Sequence, residues 1–282
     1  MSVFDLSSRT VLVTGATSGI GYETARQLAE RGATVLVHGR TADEAQAATD
    51  KLVATEGIDA AQLCGFSADF TCLEEVEAMA RRVIAEHPHL DVLVSNAGIA
   101  APERHTLTAD GNEVAFQVNF LAHYLLTCLL EPALTMKSPL LERSRELGEG
   151  PGGRVVNVSS SLHRTASIQW SDPHRARRYS RLAAYAQSQL ALTVFAADPR
   201  VTAVSVHPGI CETDLLPLYA LSGTSAAEGA AHVVRLCDPA TEIVNGAYYD
   251  RDQRVEPASA ATEDRTVKRL TKLADQLVGQ HA

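Results

Sequence analysis

Cysteine is scarce and shows no pattern: five residues in 282, at Cys64, Cys72, Cys128, Cys211 and Cys237. An odd, scattered set argues against a disulfide framework, and without paired ligand spacing it points to no metal; reduced thiols in a cytoplasmic protein are expected. Long apolar runs are missing too. The greasiest stretch, Phe120 to Leu134, is interrupted by His123 and Glu131 and reads as a buried helix, too short to span a bilayer. The first ten residues hold Asp5 and Arg9 and lack the apolar core of a signal peptide. Positive charge is in deficit, 25 Lys and Arg against 34 Asp and Glu, for a formal net charge of -9. That balance argues against nucleic acid or an anionic membrane as the main partner. It leaves room for an anionic cofactor in a local basic pocket. At 30.1 kDa, with 45% hydrophobic and 21% charged residues, the chain fits one large domain over 1–282 with a sizeable core.

What is present is a repeated alternation of short β-rich runs and helical stretches. Thr10 to Thr14 is followed at once by Gly15-Ala16-Thr17-Ser18-Gly19-Ile20-Gly21 and a helix to about Arg31. Strand, glycine turn, helix is the arrangement in which a backbone approaches pyrophosphate and a helix amino terminus supplies unpaired N–H groups. Ala33 to Val37 is the second strand, and its end selects the adenosine ribose. A carboxylate there would bind both ribose hydroxyls of NAD, whereas this chain offers His38-Gly39-Arg40-Thr41. A guanidinium suits a 2′-phosphate, so Arg40 favours NADP(H) over NAD(H).

Residues 41 to 56 read as a helix, and Ala61 to Phe66 as a strand ending near Asp69-Phe70-Thr71, where Asp69 or Thr71 can cap the helix of 72 to 86. Asp91 to Ser95 is the fourth strand, followed by Asn96-Ala97-Gly98. A helix from about Asn112 to Lys137 carries Asn119, a polar amide among apolar neighbours that must find partners. Arg154 to Val158 is a buried strand ending in Ser159, Ser160 and Ser161. The helix from Leu182 to Val194 places Tyr185 and Gln189, four apart, on one face. Val201 to Val206 is the sixth strand, followed by His207-Pro208-Gly209-Ile210 and Thr213; Gly246 to Tyr249 is the last. Thr262 to Leu277 is an amphipathic terminal helix whose apolar face suits docking on the domain. The expected fold is therefore α/β: one doubly wound Rossmann-type domain, a parallel sheet of about seven strands with helices on both faces.

The order of these motifs over residues 9 to 250 resembles the short-chain dehydrogenase/reductase family. The wording Ser161-Leu162-His163-Arg164 resembles its retinol dehydrogenase-like branch. The resemblance implies that Tyr185 is the acid or base, that Ser160 polarises the substrate oxygen, and that Asn119 supports a water in a proton path. It further implies cofactor contacts from Gly15, Thr17, Ser18, Gly19, Ile20 and Gly21 in the first loop. Asp69 and the Phe70 backbone would meet adenine, and Asn96, Ala97 and Gly98 would brace the sheet beside the cofactor. Pro208, Gly209, Ile210 and Thr213 would hold the nicotinamide. Partners follow as a small-molecule substrate and a homodimer, although Ala196-Ala197-Asp198-Pro199-Arg200 shortens the connection after the helix that often forms the family's interface.

One position departs from the family. Its helix reads Tyr-x-x-x-Lys, and here the lysine position is Gln189. A lysine bonds the nicotinamide ribose and lowers the phenol's pKa; a glutamine can attempt only the first. Two charges a few ångströms apart at an effective dielectric near 20 interact by about 3 kcal/mol, or roughly two pKa units. Without that charge a phenol near its ordinary pKa of about 10 is ionised in on the order of one molecule per thousand at neutral pH. Oxidation needs phenolate and suffers most, while reduction needs the abundant phenol. The sequence thus reads as an NADP(H)-dependent carbonyl reductase with an altered proton relay. The alternative is a cofactor-binding relative with lost redox chemistry, acting as a binding module or catalysing a non-redox step such as cyclisation. A third option is an arginine from 175 to 181 standing in for the lysine. Residues 100–112, 138–152, 162–181 and 214–224 are the expected cleft-lining segments, with 162–181 read equally as a wall or a solvated face.

Overall fold

Runs of Val and Leu without alternation belong to strands covered on both faces, and they build the centre of the molecule. The computed structural model describes residues 5–135, 153–198, 200–213 and 222–279. The expected surface excursion at 138–152, and 214–221 of the expected lid, fall outside them. The strands are β1 (Thr10–Val13), β2 (Thr34–Gly39), β3 (Leu63–Ser67), β4 (Val92–Ser95), β5 (Arg154–Val158), β6 (Thr202–His207), β7 (Tyr248–Asp250) and β8 (Gln253–Val255). The helices are α1 (Gly19–Ala29), α2 (Ala42–Val53), α3 (Leu73–Glu86), α4 (Val114–Thr135), α5 (Arg181–Phe195), α6 (Ala226–Cys237) and α7 (Asp264–Gly279).

The sheet order is β3-β2-β1-β4-β5-β6-β7-β8. Seven strands are parallel, as expected; β8 adds an antiparallel edge to β7. Gln253-Arg254-Val255 is short, polar and largely exposed, so no apolar period announces it. The chain winds outward from β1 to β3, then returns to place β4 on the other side of β1. A crevice opens at that reversal, above the carboxyl ends of β1 and β4.

Side chains alternate between two cores. Val11, Val13, Val35 and Val37 face α1 and α6, whereas Leu12, Leu36, Leu93 and Val155 face α3 and α4. The second strand runs to Gly39, two residues beyond its expected end, so Arg40 is the first residue outside the sheet.

Helix α4 falls within the helix expected over 112–137 and extends beyond the apolar stretch of Phe120 to Leu134. Its 22 residues are long and apolar enough to cross a membrane by length and composition, but 78% of its most apolar window is buried inside the protein. Burial, rather than shortness, supports its reading as a core helix. It also contains a π-turn over Gln117–Leu121, which brackets Asn119. The terminal helix α7 docks as its pattern predicts: Val267, Leu270, Ala274 and Leu277 pack with Leu190, Ala191 and Val194 of α5. A polar knot closes the seam. Arg200 binds Asp198 at 2.9 Å and donates to the Tyr124 hydroxyl at 3.0 Å, while Thr271 donates to Asp198 at 3.0 Å and Tyr124 donates to Asp275.

Candidate active site

The crevice is a cleft of ≈ 620 Å³, and its lining joins both ends of the sequence reading. The first loop enters as Gly15 and Thr17 to Gly21, and the Asn96-Ala97-Gly98 and Pro208-Gly209-Ile210 turns enter with Thr213. Arg40, Asp69 and Phe70 line one end, and Ser160, Tyr185 and Gln189 the other. Asn119 is the exception: it is buried and does not line the cleft.

The first loop fits a dinucleotide. Gly15 and Gly19 have φ of 63° and 55°, in the left-handed region that favours glycine. A Cβ on Gly21 would sit 2.2 Å from the Gly15 carbonyl oxygen, so only glycine allows the turn to close on itself. Ser18 stands at the start of α1 without a side-chain cap, and the first turn holds no acidic residue. Unbonded N–H groups and the positive end of the helix therefore face the cleft, as a phosphate requires.

His38 is a cleft residue whose role the sequence did not reveal. Its Nδ1 accepts from the Gly15 N–H at 2.9 Å, and its Nε2 donates to the Ala68 carbonyl at 3.1 Å. The ring stacks on Phe70 at 4.6 Å, so one imidazole ties the glycine loop to the wall expected to meet adenine. Burial pulls its pKa down to about 4 and keeps it neutral.

The same cause holds His207 at about 4 and His123 at about 3. Unfolded histidines titrate near 6.5, so the unfolded chain gains protons that the folded one refuses as pH falls from 6.5. Stability present above pH 6.5 is lost on acidification, by roughly 2 kcal/mol per ring at about pH 5. The urea midpoint should fall steeply between about pH 7 and 5; a flat midpoint would contradict the neutral-ring assignment.

Arg40 is two-thirds exposed at the rim and paired with Glu44 at 2.6 Å. Glu44 also lines the cleft, so a phosphate arriving at Arg40 meets a carboxylate beside it. The expected capping by Asp69 or Thr71 takes a different form. Asp69 accepts from the Thr71 N–H and hydroxyl, both at 2.8 Å, while the first turn of α3 is capped from the 100–112 loop, Asp110 accepting from the Leu73 N–H at 3.0 Å.

The serines divide their work. Ser159 pairs with Thr193 at 2.7 Å and leans on the Gln189 carbonyl at 3.4 Å, holding the strand to α5. Ser160 caps the tight turn Ser161–Thr165, its Oγ accepting from the Leu162 N–H at 3.2 Å. Its carbonyl is held by the His163 Nδ1–H at 2.7 Å, and that ring's Nε2 accepts from the Ala258 N–H at 3.1 Å. Gln189 is buried at the cleft wall, and its Oε1 has no hydrogen-bond partner among the described residues.

The arginines of the insertion do not replace the lysine. Arg175 donates to Gln187 at 3.1 Å and to the Ser167 carbonyl at 3.2 Å, while Arg181 donates to the Ala101 carbonyl at 2.7 Å and pairs with Glu103. Arg177 and Arg178 are exposed, and none of the four lines the cleft. None of residues 100–112 or 162–181 lines the cleft; the insertion packs behind the tyrosine, where Tyr179 donates to the Pro102 carbonyl at 2.7 Å and Tyr179 and Leu162 pack beside Tyr185. Among the described residues no cluster could hold a metal.

A doubly wound sheet with a phosphate-ready loop, a serine and a tyrosine in one cleft defines a dinucleotide-dependent oxidoreductase. The profile of the short chain dehydrogenase family matches residues 9–219, and the chain belongs to that family. It acts on CH–OH/C=O groups, the family binds NAD(P)(H), and the branch is the retinol dehydrogenase-like one. The chain is 36% identical over 294 residues to a polyprenol dehydrogenase of Mus musculus, covering 96% of this chain and 84% of the relative. It is 30% identical over 305 residues to retinol dehydrogenase 13 of Homo sapiens, covering 98% and 86%. A crystal structure of an uncharacterized protein from Mycobacterium Paratuberculosis superposes with a TM-score of 0.78 at 30% identity, covering 99% of this chain and 96% of that one.

Proposed function

We propose that the protein is an NADP(H)-dependent reductase of a carbonyl on a small molecule, with Tyr185 as proton donor and Ser160 polarising the oxygen. The observation that carries this reading is the single cleft that holds Arg40 at its ribose end and Ser160, Tyr185 and Gln189 at the other. Bound nicotinamide supplies the hydride; the chain supplies position and a proton. Ser160, fixed through its own cap and through His163, offers its hydroxyl to the carbonyl oxygen. Tyr185 delivers a proton to that oxygen as negative charge develops there. Gln189 offers an amide to the ribose where the family carries an ammonium. Leu162 and Tyr179 pack behind the Tyr185 ring and shield that side of it from water.

NADPH absorbance followed with a panel of aldehydes, ketones and quinones tests this: consumption with any of them supports reduction. The second reading, a cofactor-binding protein without redox turnover, is favoured by Gln189 standing where the family carries its lysine. It predicts NADPH binding with no consumption across the whole panel.

The cofactor preference has its own test. Arg40→Ala removes a charge-assisted contact to the 2′-phosphate, which should weaken NADPH roughly 10- to 100-fold and leave NADH nearly unchanged. Glu44→Gln frees Arg40 and removes the opposing carboxylate, so NADPH should bind a few-fold tighter. Titration of both cofactors by fluorescence reads these changes; equal losses for NADPH and NADH in Arg40→Ala would refute the phosphate assignment.

A further inference from the structure

We propose that His123 and Ser188 are positioning residues for the reaction, holding Asn119 between the dinucleotide loop and the backbone of the tyrosine turn. The proposal rests on the reductase reading of the cleft, which neither residue lines.

The protons along this path can be placed by elimination. The His123 ring is buried, with Nδ1 3.2 Å from the Asn119 carbonyl. A carbonyl can only accept, so Nδ1 carries the hydrogen. Burial keeps the ring neutral, which leaves Nε2 a lone pair directed at Thr14 Oγ1, 3.0 Å away. Thr14 Oγ1 also receives the N–H groups of Asn96 at 2.8 Å and Ala97 at 3.0 Å, which use its two lone pairs. Its one proton has two acceptors in reach, Nε2 and the Val94 carbonyl at 3.1 Å, and that carbonyl is already served by the Thr14 N–H at 3.0 Å. Giving the proton to His123 is the arrangement that sets no lone pair against another.

Asn119 passes the constraint on. Its Nδ2 donates to the Ile99 carbonyl and to Ser188 Oγ, both at 3.0 Å, and its Oδ1 accepts from the Ile99 N–H at 2.8 Å. Ser188 Oγ donates to the Tyr185 carbonyl at 2.8 Å. Every polar atom of the Asn119 side chain is thus committed, and its backbone carbonyl, inside the π-turn, is met by the imidazole. One end of the chain is the loop pair that faces the cofactor. The other holds Ile99, which lines the cleft, and the turn that carries the phenol. Removing the imidazole should loosen the phenol's setting while the glycine loop keeps its own contacts, so the loss belongs in kcat and not in cofactor affinity.

The test combines ¹⁵N NMR of the histidine rings in the full chain with kinetics of His123→Leu, His123→Gln and Ser188→Ala at saturating NADPH and the fastest carbonyl of the panel. His123 should show the neutral Nδ1–H tautomer at neutral pH. Leu at 123 and Ala at 188 should each lower kcat about 10- to 100-fold per folded molecule, with the NADPH Kd within about twofold. Gln at 123 can give a proton to Asn119 and take one from Thr14, and should restore kcat to within about threefold. The proposal is overturned by the Nε2–H tautomer, by unchanged kcat in Ser188→Ala, by losses confined to Kd, or by a Gln variant no better than Leu. If His123→Leu does not fold, Ser188→Ala and the tautomer decide. Wild-type protein that turns over nothing in the panel refutes the reductase reading instead, and turnover indifferent to these substitutions refutes the positioning.

Discussion

Tyr185→Phe should lower turnover by two to four orders of magnitude while NADPH still binds. That range is what positioned proton transfer contributes to catalysis, and the substitution removes the proton while keeping the ring. Tyr185 is buried among Ala101, Ala115 and Ala184, so a phenylalanine fills the same space and the fold is retained. A matching thermal midpoint and an unchanged cofactor Kd would confine the effect to the chemical step. If the variant keeps more than about a tenth of wild-type kcat, the phenol is not the proton donor and the mechanism fails.

Gln189→Lys should move the rising limb of the oxidation profile down by roughly two pH units. An ammonium a few ångströms from the phenol stabilises the phenolate by about 3 kcal/mol at an effective dielectric near 20. The sign is fixed by which form reacts. Alcohol oxidation uses the phenolate, so its rate rises with pH until the phenol is ionised; lowering that pKa raises the rate at neutral pH. The gain should be on the order of 10- to 100-fold, the upper figure reduced because a weaker base abstracts less readily. Carbonyl reduction should change less, since its acid is already in the required form. Measuring kcat against pH in both directions checks this, and identical profiles for the two proteins would show that charge at position 189 does not govern the proton.

Much of the site was legible because its chemistry is local in sequence. The first loop, the Asn96-Ala97-Gly98 turn and the Pro208-Gly209 turn each follow a strand directly, so a pattern of glycines after an apolar run places them at the sheet's carboxyl edge. Ser160 and Tyr185 were legible for the same reason, one at a strand end and one on the face of an adjoining helix. What the sequence hid are contacts between segments far apart. His38 lies 23 residues from Gly15, and His123 lies 109 from Thr14; nothing in the spacing of either announces a shared hydrogen bond. The π-turn was hidden because Gln117–Leu121 has ordinary helix-forming residues, and the extra residue shows only in the backbone. Asn119 was legible as a polar residue needing partners, but its side chain turns to Ile99 and Ser188 and away from the cleft. The 162–181 segment, balanced between wall and solvated face on composition, lines none of the cleft; its Arg181 and Tyr179 tie it to the carbonyls of Ala101 and Pro102.

The docking of α7 carries a consequence for synthesis. The helix that presents the phenol has its outer apolar face covered by Val267, Leu270, Ala274 and Leu277, which leave the ribosome some 80 residues after Tyr185 itself. A nascent chain can complete its nucleotide-binding half early, yet it keeps a greasy stripe on that helix until residues 264–279 emerge. Burial of that stripe therefore comes late in synthesis, and trimming of residues 264–279 would expose it without removing any residue that lines the cleft.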